Sequence, residues 1–368
     1  MEFTIGRSEL LAGLYLTQGI VERRTTIPIL ANVLIQSVDD GIVVAATDQE
    51  IAIRRQCIAA VKRKGMLTAG ARKLYEMVRE IPEGDVRIRQ QDNNWIEVSA
   101  GKSRFRLVGL DAREFPAMPD PPAGESVVRI GGTTLTEMIE YTIFAVSADE
   151  TRVNLNGIHI ERDGNDRLRM VATDGHRLAM ITRPVDRADL ARAVTIPRKA
   201  VMELRKVLET GDEPIEFGVH GGVAHARRGR VQMSMRLIEG DFPDYHQVIP
   251  SKSERVASID AANLLAALRR VSVVSSERTR GVKLQLDAQR LELTAINPDV
   301  GEAAEELDVE YDGEPVSIGF NSRYLMDVLG VLPVDKRVEL GLNDEVSPGV
   351  IRSAGEADYC YIVMPMRL

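Results

Sequence analysis

The sequence predicts an α+β protein built from three similar domains, each carrying two helices on antiparallel sheets. Three observations predict it. A strand–turn motif recurs three times along the chain, a strand-into-helix motif recurs with it, and most of the remaining apolar pattern alternates with period two. A chain of 368 residues also exceeds one core of ordinary size, so several domains are expected on length alone.

Each repeat opens with a strand, a polar or glycine-rich step and a helix: FTIGRSELLAGLYLTQGI (3–20), VVRIGGTTLTEMIEYTIFAV (127–146) and VASIDAANLLAALRRVSVV (256–274). In the second, Thr134 followed by Glu137 predicts a capping box. The strand–turn motif follows: VVAATDQEIAI (43–53), LRMVATDGHRLAM (168–180) and LELTAINPDVGEA (291–303). Asp48, Asp174 and Asn297 recur at nearly equal intervals, and an Asx side chain after a strand favours a turn by hydrogen-bonding backbone two residues on. Then TAGARKLYEMVREIPEG (68–84), TIPRKAVMELRKVLETG (195–211) and GFNSRYLMDVLGVLP (319–333) each run from a short strand into an amphipathic helix. Alternating runs such as VRIRQQ, WIEVSA, RFRLVG and RVELGL supply further strands, joined by hairpin-length connections. DAREFPAMP (111–119) and EGDFPDYHQVIP (239–250) close repeats one and two, and YCYIVMPMRL (359–368) closes the third. Turn-rich stretches at 119–125 and 250–255 divide the chain into expected domains 1–124, 125–253 and 254–368.

The helices carry one apolar stripe each: Leu74, Met77, Val78 and Ile81 in the first repeat, Val201, Leu204 and Leu208 in the second, and Leu264, Leu265, Leu268 and Val271 in the third. Their other faces have excess base. Arg72 and Arg79 share a face, as do Arg198 and Arg205, and Lys199 and Lys206; Arg269 and Arg270 follow in the third repeat. A solvated helix face is the plain reading of one such helix, and repetition favours a phosphate-binding surface. The net charge of −8 argues weakly against a nucleic-acid partner, yet the run EAAEELDVEYDGE (302–314) holds acids and no base, so acid and base are segregated. Screening beyond roughly 8 Å lets an acidic exterior coexist with a basic surface elsewhere.

Catalytic and metal signatures are missing. There is no phosphate-loop or dinucleotide motif, and the five histidines make no metal-type spacing with Cys57 or Cys360. The two cysteines read as reduced thiols, and no run approaches the ~18 apolar residues of a membrane-span candidate. The opening MEFTIGRSELL lacks an apolar signal region, so a cytoplasmic protein is expected, with no cofactor. Asp174 and His176 form the one enzyme-like pair, but Asp174 has turn-forming counterparts in the other repeats. Gly175, His176 and Arg177 are particular to the second copy and, with Leu178, suit a peptide-docking groove. The tail YIVMPMRL is unusually apolar and fits either a groove wall or an edge strand over the core.

VATDGHRLA, IPRKAV, GDFPDY, LNG (155–157), RGV (280–282) and the terminal VMPMRL closely resemble the bacterial DNA polymerase III beta subunit family, the sliding clamps, over essentially the whole chain. The resemblance implies the DNA clamp fold: each chain forms half of a closed ring, a head-to-tail homodimer that encircles duplex DNA without sequence preference. It also implies a non-catalytic processivity factor whose partners are the DNA polymerase III alpha subunit, the clamp loader and repair polymerases, docked through short hydrophobic motifs. The partner pocket that it implies comprises Leu155, Thr173, Gly175, His176, Arg177, Leu178, Pro243, Val248, Asn321, Tyr324, Val346 and Ser347, with the tail Val363, Met364, Pro365, Met366 and Arg367. Expected DNA contacts are Arg72, Arg79, Arg198, Lys199 and Arg205 on the helices, and Arg24 and Arg152 by register. The ring joint would bring Lys73, Phe105 and Leu107 of one copy to Val273, Val274, Glu302, Glu305 and Glu306 of the other. Gln247 and Thr279 stand where some relatives carry arginine and an aromatic, and Val153 and Asn154 where some present tyrosines. The rival reading is a peptide-docking repeat scaffold that never encircles DNA.

Overall fold

A computed structural model describes residues 1–21, 26–118, 127–209 and 213–367. Arg24 and the expected boundary at 124/125 lie outside them. The described chain forms two compact units, one of Met1–Thr133, Val185–Ala191 and Lys199–Leu237, the other of Thr134–Pro184, Arg192–Arg198 and Ile238–Leu368.

The first unit holds a five-stranded and a nine-stranded sheet, every pairing antiparallel. In the five-stranded sheet, Glu2–Gly6 pairs with Asp85–Gln90, and the series runs through Trp95–Ala100 to the edge strand Ser103–Val108. The nine-stranded sheet joins material from the first two repeats: Val231–Arg236 pairs with Ile51–Cys57, Met233 opposite Ile53. Helix α1 (Arg7–Gln18) covers that sheet and packs on α2 (Ala71–Glu80). With few aromatics, the core is aliphatic: Leu10, Leu14, Ile35, Ile53 and Leu67 are all fully buried, beside Phe3.

Helices α3 (Gly132–Glu140) and α4 (Arg198–Leu208) lie where the chain passes from one unit to the other. Thr134 stands inside α3, two residues past its start, so the expected capping box is not formed. Its Glu137 is used elsewhere, accepting from Arg183 Nε at 3.1 Å and Nη2 at 2.8 Å.

The second unit holds an eight-stranded and a four-stranded antiparallel sheet. The larger sheet again joins two repeats: Arg177–Pro184 pairs with Tyr359–Val363, Leu178 opposite Ile362. Helices α5 (Ala261–Val271) and α6 (Ser322–Leu329) pack together, their first turns capped by Asp260 and Asn321. The α5 stripe Leu264, Leu265, Leu268 and Val271 is buried, as predicted from its spacing. Gly281–Asp287, Arg290–Asn297 and Gly301–Asp308 form a meander that ends on the acidic edge strand Gly301–Asp308.

Candidate functional site

The repeated Asx positions make the same turn. Asp48 Oδ1 accepts from the N–H of Glu50 at 2.9 Å and of Ile51 at 2.6 Å. Asp174 Oδ1 accepts from His176 at 2.9 Å and Arg177 at 3.1 Å, and Asn297 Oδ1 accepts from Asp299 at 3.1 Å. The second residue of the turn is left-handed in both Thr-Asp copies: Gln49 has φ 78° and Gly175 φ 86°. Glycine adopts that geometry without steric cost, which leaves the Gly175 corner free of a side chain.

Beside this turn lies an open groove of about 150 Å³, lined by Leu155, Thr173, Gly175, Arg177, Leu178, Pro243, Val248 and Met364, with Asp244, Tyr245 and Ile362. Three elements of the second unit build it. The paired strands Arg167–Thr173 and Arg177–Pro184 supply its floor, the strand Tyr359–Val363 extends that floor, and a turn at Tyr245–Val248 forms the facing wall. Leu155 is brought in by the LNG motif. Gly157 is required there, since a Cβ would lie 2.2 Å from the Ile196 carbonyl oxygen. The tail is tied down by backbone: Met364 N–H donates to the His176 carbonyl and Met366 N–H to the Gly319 carbonyl, both at 2.8 Å.

Arg177 lines the groove, and its own donors are already committed within the chain. The side chain is buried, 9% exposed. Nε donates to Asp174 Oδ2 at 3.1 Å, Nη1 to Asp327 Oδ2 at 2.6 Å and Nη2 to the Phe144 carbonyl at 2.5 Å. Such a charge stays inside only when paired, so Arg177 braces the groove and ties it to α6. Tyr324 lies under the guanidinium and stacks with His176 at 6.5 Å between centroids.

Other expected pocket residues stand apart from the lining. Asn321 caps α6, accepting from the Arg323 N–H at 3.0 Å. Val346 is 71% exposed, and Ser347 donates to Asp344 Oδ2 at 2.8 Å in its own turn. Val363 is buried in the sheet opposite Arg177, and Pro365, Met366 and Arg367 continue the tail beyond the groove. Asp244, Tyr245 and Ile362 were missed; Asp244 and Tyr245 stand inside the GDFPDY motif, and Ile362 alternates with Cys360 along the terminal strand.

Comparison with known proteins places the whole chain. The N-terminal domain of the DNA polymerase III beta subunit matches residues 1–119, the central domain 129–244 and the C-terminal domain 246–367. This chain belongs to the DNA polymerase III beta subunit family. The beta sliding clamps of Caulobacter vibrioides and Escherichia coli K12 are 37% and 36% identical to it, each over 100% of both chains. The crystal structure of the Pseudomonas aeruginosa DNA polymerase III subunit beta superposes with a TM-score of 0.94 at 36% identity, covering 100% of each chain. A Pseudomonas aeruginosa sliding clamp bound to griselimycin superposes at 0.95, also at 36% identity and 100% of each chain.

In this beta-subunit chain several of the bases expected to face DNA have local partners. Arg72 Nε lies 3.0 Å from Glu76, Arg79 Nε 3.2 Å from Glu80, and Lys199 Nζ 2.5 Å from Asp48. Arg152 lies 3.5 Å from Asp149 and donates to the Asp174 carbonyl at 3.2 Å. Arg198 is exposed and Arg205 half-buried. The basic excess is greatest on α4 and α5, whereas α3 carries Glu137 and Glu140 and no base.

The residues expected at a ring joint fall on two edge strands. Phe105 and Leu107 are half-buried on Ser103–Val108, which carries Arg104 and Arg106 on its other face. Lys73 on α2 pairs with Glu76 at 2.8 Å. In the second unit, Val273 is 79% exposed after α5 and Val274 half-buried. Glu302 and Glu306 share a face of Gly301–Asp308; Glu305 points the other way, where Arg270 Nε donates to it at 2.8 Å.

Proposed function

We propose that this chain is a DNA sliding clamp, the processivity factor that holds a replicative polymerase on its template, and that it acts as a ring of two copies around duplex DNA. The full-length family match, module by module, carries this reading. The domain limits 1–124, 125–253 and 254–368 remain our division of the three modules.

The edge strands supply the physical case for self-association. Among the described residues, Ser103–Val108 pairs on one side only, as does Gly301–Asp308. Unpaired edges invite another strand. One edge presents Arg104 and Arg106, the other Glu302, Glu306 and Asp308, so a head-to-tail joint brings opposite charges together, while Phe105 and Leu107 meet the apolar Val273, Val274 and Leu307. Glu305 stays with Arg270 of its own chain.

The basic helices support weak, sequence-blind contact with a phosphate backbone. Their exposed ion pairs contribute only ~0–1 kcal/mol each, so a passing phosphate can replace a carboxylate at little cost. A ring needs no tighter hold, because enclosure supplies the residence time and strong sites would stall sliding.

The groove beside Gly175 is our docking site for short motifs with apolar side chains from the DNA polymerase III alpha subunit, the clamp loader and repair polymerases. We assign the chain no catalytic role. The Asp174 carboxylate is committed to the turn and to Arg177, and His176 faces Tyr324. Among the described residues no helix is long and apolar enough to cross a membrane, and we place the protein in the cytoplasm with its template. Removing residues 364–368 tests the docking site: polymerase stimulation is lost while the dimer persists in sedimentation. Stimulation by the shortened chain would refute the assignment.

A further inference from the structure

The sheet face that floors the groove continues, away from it, into a cluster of charges. His159 lies opposite Val171 and Glu161 opposite Arg169 on adjacent strands. Glu161 Oε1 accepts from the Tyr245 hydroxyl at 2.5 Å and from Arg169 Nη1 at 3.1 Å. Arg169 is itself held, Nη2 lying 3.0 Å from Asp163 and Nε donating to Thr182 Oγ1 at 3.2 Å. His159 stacks on Phe242 with centroids 4.5 Å apart, its Nε2 3.7 Å from Glu161 Oε2. Tyr245 spans the two regions: its ring packs with Val171, Leu178 and Ile362 beneath the groove, and its hydroxyl reaches the charges. The segment that gives the groove Pro243, Tyr245 and Val248 is therefore gripped from behind at Phe242 and Tyr245.

The first repeat is an internal control. Its closing segment EFPAM (114–118) corresponds to DFPDY (241–245). By strand register, Leu34, Gln36 and Val43 stand where the second repeat has His159, Glu161 and Arg169. Met118 replaces Tyr245, and no charge cluster forms among the described residues at that position. The same face is there an open groove of about 620 Å³, lined by Leu34, Gln36, Val43, Phe115 and Met118. Arg54 holds the segment through the Met118 carbonyl at 2.6 Å, gripping backbone instead of a wall side chain.

We infer that Glu161 is a positioning residue for the docking groove: through the Tyr245 hydroxyl it fixes the wall against which a partner's apolar side chains pack. The inference rests on the docking reading above. A preset wall spares a ligand the cost of ordering it, so loosening the wall weakens binding without removing any contact.

The test titrates a fluorescein-labelled synthetic peptide bearing leucine and phenylalanine side chains into the full chain, read by anisotropy. Glu161→Met, which removes the acceptor, and Tyr245→Phe, which removes the donor, each weaken binding about five- to tenfold, the loss of one charge-assisted hydrogen bond. Combining them weakens binding no further than Tyr245→Phe alone, because both remove the same link. Met364→Asp, inside the groove, abolishes binding. Losses that add in the double variant, or single variants that bind like the parent while Met364→Asp does not, overturn the positioning role. If Met364→Asp binds like the parent, the docking reading itself falls and this inference with it.

Discussion

The Arg177 guanidinium lies 4.4 Å from the centroid of the Tyr324 ring while its N–H groups reach Asp174 and Asp327. A strand of the sheet, the Asx turn and α6 are thereby fastened to one side chain. Arg177→Met leaves the Asp174 and Asp327 carboxylates without their cation, and a broken buried pair costs ~3 kcal/mol or more. Urea denaturation is expected to show about that loss. A change within about 0.5 kcal/mol, the usual range for surface substitutions, would mean that the arginine braces nothing.

Glu161 should stay ionised far into acid. Hydrogen bonding with His159, then with Tyr245 and Arg169, outweighs burial and holds its carboxyl down to about 2, against 4.5 for a free glutamate. A folded pKa below the unfolded one adds stability that is complete above about pH 4.5 and is lost as pH falls toward about 2. In a carboxyl NMR titration its signal is expected to keep the ionised shift at pH 4, where free glutamate is mostly protonated. A midpoint near that of free glutamate would show that the cluster does not hold the charge.

The proposed joint depends on charge sign and on apolar anchors. Val273→Asp with Val274→Asp buries carboxylates without partners and should yield monomers in sedimentation. Arg104→Glu with Arg106→Glu should also weaken the dimer, and adding Glu302→Arg with Glu306→Arg should restore it, since both joints then carry the reversed pairing. Dimers unaffected by either pair of changes would place the joint elsewhere.

The repeat, the helix stripes and the three Asx turns were legible in the sequence because each depends on local spacing: Asp48, Asp174 and Asn297 need only backbone two residues away. The fate of Arg177 was not, since Asp327 and Phe144 meet it only in the folded chain. Thr134 misled because Ser/Thr-x-x-Glu spells a capping box whether or not a helix begins there, and this one begins at Gly132. Tyr245 was visible as part of a motif, but its reach to Glu161 comes from sheet register, across residues far apart in sequence. The local pairing of Arg72, Arg79 and Lys199 also escaped a reading that counted bases on helix faces without their acids.

Enclosure of DNA is tested most directly by run-off from a cut circle. Labelled protein is placed by a clamp loader on nicked circular DNA, the free protein is removed, and the circle is cut once. A ring held by topology stays on the closed circle in moderate salt and runs off within the time of sliding once ends appear. Protein that remains on the linear DNA as long as on the circle, or that leaves the circle at the same rate, would contradict the ring.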